Sequence, residues 1–133
     1  MSDHIPTGFS PITPYFLVED TDAFIEFVVQ GLGGSKRSMN YDDDGRLVHG
    51  EFDLLGEVIE LGQPAGEFSP TLMAIHLYVE DPDAAWKRAI DAGASPLYEV
   101  MDHDYGERSG GVIDPCGNRW FFAAVFDQKT RNA

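Results

Sequence analysis

The chain has 133 residues, and nine Lys and Arg against 23 Asp and Glu give a formal net charge of −14. This length is typical of one domain, and we expect a single domain over residues 1–133. The negative field repels phosphate backbones and anionic lipid surfaces, which argues against nucleic acid and membranes as partners. No stretch approaches the roughly 18 apolar residues of a membrane span and no signal peptide pattern is present, so a cytoplasmic protein is expected.

The chain repeats itself. Residues 16–23 align with residues 77–84 at an offset of 61 (77 − 16), and five of the eight positions are identical. At the same offset Asp53 falls on Asp114 and Gly56 on Gly117. We therefore predict two modules, at about residues 12–62 and 72–125, joined by a linker that is rich in Pro and Gly.

Each module is predicted as a strand, a helix, and then two or three strands. The first helix begins near Asp20 and ends at Gly33, whereas the second begins after Asp81, which caps it, and ends at Gly93. Strand-like alternation follows at residues 46–52, 58–61, 97–101, 111–113 and 120–125. Because neither module alone buries both its sheet and its helix, we expect an α+β fold in which two curved mixed sheets enclose a cavity, with the helices outside.

Alternation sorts the side chains of each opening strand onto two faces. One face is wholly apolar and suits packing under the helices: Pro14, Phe16 and Val18 with Ile75, Leu77 and Val79. The other face mixes hydroxyl, imidazole and small groups: Thr13, Tyr15 and Leu17 with Ala74, His76 and Tyr78. The mixed face is predicted to line a concave, ligand-facing surface, but the register of His49 is not decided by the sequence.

Two motifs resemble one known family. Val-Glu-Asp-x-Asp-Ala occurs in both modules, and the stretch from Tyr105 to Trp120 contains the turn Asp114-Pro-Cys-Gly-Asn118 before the last strand. Together they resemble the vicinal oxygen chelate superfamily, which includes glyoxalase I, bleomycin resistance proteins and extradiol dioxygenases. The resemblance runs from about Phe9 to Val125 and implies paired βαβββ modules around a cavity, commonly assembled as a homodimer.

The resemblance also bears on metal binding. Metal-dependent members take one ligand from the first strand and one from the last strand of each module, and these positions fall here on Thr13, Glu60, Ala74 and Phe121. Only Glu60 is an ordinary metal ligand, whereas a catalytic ion takes about three protein ligands. We therefore expect no metal and no cofactor. The alternative is a relocated site that uses Glu60, His76 and a loop carboxylate.

The expected function is the binding of a small, partly apolar or aromatic molecule. Candidate ligand-binding residues are Tyr15, Leu17, Tyr78, Tyr105, Arg108, Trp120 and Phe121. Glu60 and His76 are the candidate catalytic residues, because a carboxylate beside aromatic surface has a raised pKa and can act as a general base. Glu60 is alternatively a partly solvated group, or one that pairs with Arg119 or His76.

Two other functions stay open at this point. In the first, the protein is an isomerase or lyase in which Glu60 removes a proton beside a carbonyl while His76 or Tyr15 stabilises the oxyanion. In the second, it is a resistance protein that sequesters a drug without a reaction.

Cys116 is the single cysteine of the sequence, so no internal disulfide is expected, and its thiol is predicted to be inert.

Overall fold

The computed structural model describes residues 3–133, so Met1 and Ser2 of the predicted domain lie outside the described residues. The elements of the first module are β1 (Tyr15–Leu17), α1 (Thr21–Glu26), β2 (Ser35–Tyr41), β3 (Leu47–Leu54) and β4 (Glu57–Gly62). The elements of the second module are β5 (Ala74–Tyr78), α2 (Pro82–Asp91), β6 (Ser95–Asp102), β7 (Glu107–Ile113) and β8 (Arg119–Val125). A π-helical turn (Phe27–Gly31) continues α1, and a short helix α3 (Gln128–Arg131) follows β8.

Each module forms one four-stranded mixed sheet. The strand orders are β1-β4-β3-β2 and β5-β8-β7-β6, with the first strand of each module parallel to the last and the other pairs antiparallel. The two parallel pairs share one register, since Tyr15 lies opposite Glu60 and His76 lies opposite Phe121. The predicted α+β fold with two βαβββ modules is confirmed.

Both helices begin where the sequence predicts. The Asp20 carboxylate accepts a hydrogen bond from the Ala23 backbone N–H at 3.0 Å, and the Asp81 carboxylate accepts one from the Ala84 N–H at 3.1 Å. These bonds satisfy backbone donors that the first turn of a helix leaves free. Past the helix ends Gly33 and Gly93 have φ values of +78° and +108°, a region that favours glycine.

The core lies on the side of each sheet that its helix covers. Phe16 of β1 stacks on Trp120 of β8, with ring centroids 5.3 Å apart, and both are fully buried. The helices also meet, because Arg88 of α2 donates to the Gln30 carbonyl oxygen at 2.8 Å. Within one chain the two modules therefore contact each other through their helix-covered sides, and the opposite side of each sheet is left without a helix.

Strand β2 is absent from the strands that hydrophobic alternation predicts. Its sequence, Ser-Lys-Arg-Ser-Met-Asn-Tyr, is mostly polar, and it forms the edge of its sheet with a register shift between Lys36 and Ser38. An edge strand with a bulge and little buried surface carries no period of two in its apolar residues. Strands β4, β6, β7 and β8 extend beyond the predicted ranges, most of all β7, which begins at Glu107 instead of Gly111, and β3 is shifted by one or two residues toward the C-terminus.

The Asp114 turn fixes the start of β8. The buried carboxylate of Asp114 accepts hydrogen bonds from the backbone N–H groups of Cys116 and Asn118 and from Trp120 Nε1, at 2.8, 3.0 and 2.8 Å. Asn118 in turn accepts a hydrogen bond from the Met73 backbone N–H at 2.8 Å, which joins the turn to the start of β5.

Among the helices formed by residues 3–133, none is both long enough and apolar enough to span a membrane.

Candidate functional site

The two helix-free sheet surfaces carry most of the predicted site residues. We define the open face of module 1 by Tyr15, His49 and Glu60, and the open face of module 2 by His76, Tyr78 and Phe121. Tyr15 is 39% exposed and Tyr78 is 52% exposed, whereas Phe16, which follows Tyr15 on β1, is fully buried. The alternation predicted for β1 and β5 therefore holds, and the mixed set of side chains faces away from the helices.

An apolar pocket of about 530 Å³ lies on the open face of module 1. Its walls include Tyr15 and Leu17 from β1, Val48 from β3 and Phe68 from the linker, and its polar members are Asp42, Arg46 and Gln63. Phe68 and Val48 are large apolar side chains that are mostly exposed to solvent. The volume falls within the roughly 300–1,000 Å³ typical of small-molecule pockets.

Next to this pocket the open face of module 1 becomes polar. His49 Nε2 lies 2.9 Å from a Glu51 carboxylate oxygen and 3.1 Å from a Glu60 carboxylate oxygen. Tyr15 borders the group, with its ring centroid 6.0 Å from that of His49. Partial burial, and to a lesser extent the Glu60 charge, raise the pKa of the Tyr15 hydroxyl above its usual value. The structure thus gives Glu60 the partner His49, not Arg119 or His76.

The N-terminal segment lies beside this polar region. Arg37 of β2 donates to the Thr7 carbonyl oxygen, and its guanidinium stands over the Phe9 ring, 5.3 Å from the centroid. The Ser10 hydroxyl donates to the Glu57 carboxylate at 2.5 Å. Residues 4–11 therefore form one wall of a second pocket, of about 580 Å³, whose floor includes Thr13, His49, Glu51 and Glu60.

The open face of module 2 is lined by a group of neighbouring rings. The His76 ring lies 4.8 Å from that of Tyr78 and 6.1 Å from that of Phe121, and the Phe121 ring lies 6.2 Å from that of Tyr98. At the β6–β7 loop Tyr105 stacks on His103 at 5.1 Å. Phe121, Tyr78 and Tyr105 therefore lie at or beside an aromatic surface, as a ligand-binding role requires.

Glu107 lies among these rings, and the sequence analysis missed it. Its side chain is 3% exposed and accepts hydrogen bonds from the Tyr78 hydroxyl at 2.8 Å and from Arg131 of α3, while His76 Nε2 is 3.8 Å away. Burial by itself raises the pKa of this carboxyl, but the bonds from Tyr78 and Arg131 outweigh it, and the pKa of Glu107 lies below its usual value. Its place opposite Val125 in the sheet register depends on β7, whose first half was not predicted.

Two predicted ligand-binding residues lie elsewhere. Trp120 is fully buried in the core, because neighbours along β8 alternate and Phe121 takes the open face. Arg108 alternates with Glu107 and Ser109 in the same way, and its guanidinium forms a bidentate pair with Asp83 of α2, at 2.8 Å for both bonds. The structure therefore places Trp120 in the core and Arg108 against α2, away from both open faces.

The two candidate catalytic residues are not brought together within one chain. Glu60 lies on the open face of module 1 beside His49, and His76 lies on the open face of module 2 beside Glu107.

The sequence predicts an inert thiol at Cys116, and the structure agrees. Burial, together with the charges of Asp114 and Asp20, raises the pKa of this thiol to about 11. A thiol with this pKa is almost fully protonated at neutral pH.

The comparison with protein families decides the ancestry of this arrangement. Residues 8–122 match the sequence profile of the Glyoxalase/Bleomycin resistance protein/Dioxygenase superfamily. The chain belongs to this family. Among curated proteins it is similar to the uncharacterized protein Rv0887c of Mycobacterium tuberculosis, with 29% identity over 120 residues that span 82% of this chain and 71% of that protein.

Solved structures repeat the fold of this superfamily member at low sequence identity. TioX from Micromonospora sp. ML1 is 20% identical with a TM-score of 0.75, covering 87% of this chain and 98% of that one. A glyoxalase-related enzyme from Clostridium phytofermentans is 18% identical with a TM-score of 0.69, covering 90% and 98%. At these identities the likeness shows a shared fold and does not carry over a substrate or a reaction.

The family's metal positions do not supply a ligand set in this member. Ala74 and Phe121 have no donor atom, and the Thr13 hydroxyl donates to the Ser10 carbonyl oxygen at 3.2 Å. Glu60 alone carries a metal-binding group, and Phe121 lies on the other sheet. The residues at these four positions therefore do not fit the ion centre of the metal-dependent relatives.

Proposed function

We propose that this glyoxalase and bleomycin resistance relative binds a small, partly apolar or aromatic molecule on the open face of module 1. The observation that carries the proposal is the apolar pocket of about 530 Å³ between Tyr15, Leu17, Val48 and Phe68. A planar ligand bound there removes from water the apolar surface of the ligand and the apolar surface of the pocket, and this burial favours binding.

The polar groups at this pocket favour one kind of ligand. Arg46 and Gln63 supply donors and Asp42 supplies a carboxylate, so a ligand with an apolar body and one polar end has partners for both parts. The chain as a whole carries a net charge of −14, which disfavours strongly anionic ligands. Neutral or cationic aromatic compounds are therefore the class that fits best.

We further propose that the protein is a homodimer in which each open face is covered by an open face of the second copy. Both faces expose large apolar side chains, among them Val48, Phe68 and Tyr78. Exposed apolar patches of this kind are typical of protein interfaces and ligand grooves. Pairing of module 1 with module 2 of the second copy would add the Tyr78 and Phe121 rings as a further wall of the ligand site.

Binding is favoured over the isomerase or lyase alternative. Binding needs only the pocket of one chain, whereas the reaction needs Glu60 and His76 at one bound atom. Within a chain these residues stand on separate sheets, each beside another partner, so the reaction depends on the proposed pairing of open faces between two copies. Sequestration of a drug is the form of binding in which the compound is returned unchanged. It differs from the enzymatic alternative in the chemical state of the compound after incubation with the protein.

Isothermal titration calorimetry with a panel of neutral and cationic planar aromatic compounds tests the proposal. We expect one or more compounds to bind, and Tyr15→Ala and Leu17→Ala each to weaken binding by about tenfold, since each removes roughly 1.5 kcal/mol of buried contact. Tyr41→Ala is the matched control, because Tyr41 is an exposed aromatic side chain of β2 outside this pocket. Equal loss in all three variants, or no binding by any compound, would contradict the proposed site.

Mass spectrometry of the bound compound separates the alternatives. Recovery of the unchanged compound after prolonged incubation supports binding or sequestration. A product whose formation is abolished in Glu60→Gln, with affinity for the compound retained, would support the isomerase or lyase alternative instead.

A further inference from the structure

The open face of module 1 holds a compact group of possible metal ligands, of which only Glu60 occupies one of the family's usual positions. His49 and Glu51 stand two residues apart on β3, and Glu60 lies on the neighbouring strand β4. One ligand atom from each of the three lies within 4.8 Å of the other two. In the part of the chain that the structure describes, residues 3–133, this is the one group of three His, Cys, Asp or Glu side chains that meets this distance.

The spacing of the ligand atoms suits a single ion. The Nε2 atom of His49 lies 2.9 Å from a Glu51 oxygen and 3.1 Å from a Glu60 oxygen. First-row divalent ions bind imidazole nitrogen and carboxylate oxygen at about 2.0–2.2 Å, and two adjacent ligands of an octahedral ion are then about 3 Å apart. The His49 nitrogen is therefore at the spacing of neighbouring ligands from each of the two carboxylate oxygens.

The negative charges of Glu51 and Glu60 are only partly compensated by positive charges nearby. Glu51 and Glu60 are directly opposite each other in the β3–β4 register, and like charges at such positions destabilise a sheet. Arg37 Nε reaches Glu51 at 3.5 Å, but the same guanidinium also pairs with Asp53 at 3.2 Å. His49 offers at most one hydrogen at Nε2 for the two carboxylate oxygens beside it. A bound cation removes this conflict.

The surroundings leave room for the remaining ligands. The group lies on the floor of the pocket of about 580 Å³, and its side chains are 20–31% exposed, so an ion can enter and keep bound water. His4 of the N-terminal segment borders the same pocket and brings a second imidazole close to it. Mixed imidazole and carboxylate ligands suit divalent ions such as Mn²⁺ and Zn²⁺ better than Mg²⁺ or Ca²⁺.

We propose that His49, Glu51 and Glu60 form a binding site for one divalent ion of the first transition row. This site shares Glu60 alone with the family's four positions and draws its other two ligands from β3. It also replaces the relocated site considered from the sequence, because His76 stands beside Glu107 on the other sheet. The proposal requires neither the small-molecule ligand nor the homodimer, so its test and theirs have independent outcomes.

The test is calorimetry of untagged, chelator-treated protein with ZnCl₂, together with electron paramagnetic resonance of added Mn²⁺. We expect one ion per chain, with affinity lowered at least about tenfold in His49→Gln, Glu51→Gln and Glu60→Gln, since each removes a direct ligand. Glu99→Gln on β6 and His103→Gln in the β6–β7 loop are the matched controls and should bind as the unmodified chain does. Equal affinity in all five variants, or no ion bound by the unmodified chain, would overturn the proposal.

A further measurement needs no variant and therefore does not depend on the folding of one. Co²⁺ added to the unmodified protein should produce paramagnetically shifted imidazole resonances that belong to His49. Shifted resonances from His76 or His103 with none from His49 would place the ion elsewhere and contradict the site.

Discussion

The orientation of single residues distinguishes the core side of each sheet from its open face. On β8, Trp120 enters the core and Phe121 the open face, and on β7 Glu107 is held among rings while Arg108 pairs with Asp83 of α2. The sequence contains this alternation, but it does not contain the register that fixes its phase, because a shift of one residue exchanges the two faces. The clear apolar alternation of β1 and β5 therefore predicts their faces, whereas the faces of Trp120 and Arg108 depend on a register that the sequence does not contain.

Asp114 offers a test of stability at this scale. Asp114→Ala removes the acceptor of three hydrogen bonds and leaves the buried Trp120 N–H without its partner. We expect the free energy of unfolding to fall by about 3 kcal/mol, measured by urea denaturation. Asp43→Ala in the exposed β2–β3 turn is the control and should change it by less than about 0.5 kcal/mol. A loss of the same small size for Asp114→Ala would remove the turn as an anchor of β8.

The elements were predictable to the extent that local signals mark them. Asp20 and Asp81 begin the two helices as expected, because their carboxylates cap free backbone N–H groups whatever the rest of the fold does. Strand β2 and the first half of β7 escaped, since the former is a polar edge strand and the latter contains Glu107 and Gly110 instead of alternating apolar residues. The group of His49, Glu51 and Glu60 depends on the β3–β4 register, which no local signal provides.

Helix α3 is expected to govern the acid stability of the second module. In the intact chain the lowered pKa of Glu107 means that this carboxylate contributes stability above its usual pKa and loses it as the pH falls through the lowered value. Deleting residues 128–133 removes the hydrogen bond and the charge of Arg131, both of which lower the pKa of Glu107, so this pKa rises while the Tyr78 hydrogen bond remains. Acid unfolding followed by circular dichroism should then begin at higher pH than in the full chain.

The control for this effect is Glu107→Gln in both chain lengths. If Glu107 is the titrating group, deletion of α3 no longer shifts the acid midpoint once the carboxyl is gone. An equal shift with and without the Glu107 carboxyl would assign the effect of α3 to packing alone.

At the scale of the whole molecule, the two modules use their helix-covered sides on each other and leave both open faces available. A monomer of 14.7 kDa with such faces exposed keeps Phe68, Val48 and Tyr78 in water, which a second copy would relieve. We therefore expect sedimentation equilibrium to give twice the chain mass. Val48→Glu, which places a charge on the open face without touching the core, should shift the equilibrium toward the monomer. A mass of one chain at all concentrations would contradict the pairing of open faces.

The most direct test of the account is the position of a bound aromatic compound on the chain. In two-dimensional NMR spectra of labelled protein, titration with the tightest compound of the calorimetric panel should shift the resonances of Tyr15, Leu17, Val48 and Phe68 first and most. Shifts confined to the helices, or resonances of these four residues that do not move while the compound binds, would contradict a ligand pocket on the open face of module 1.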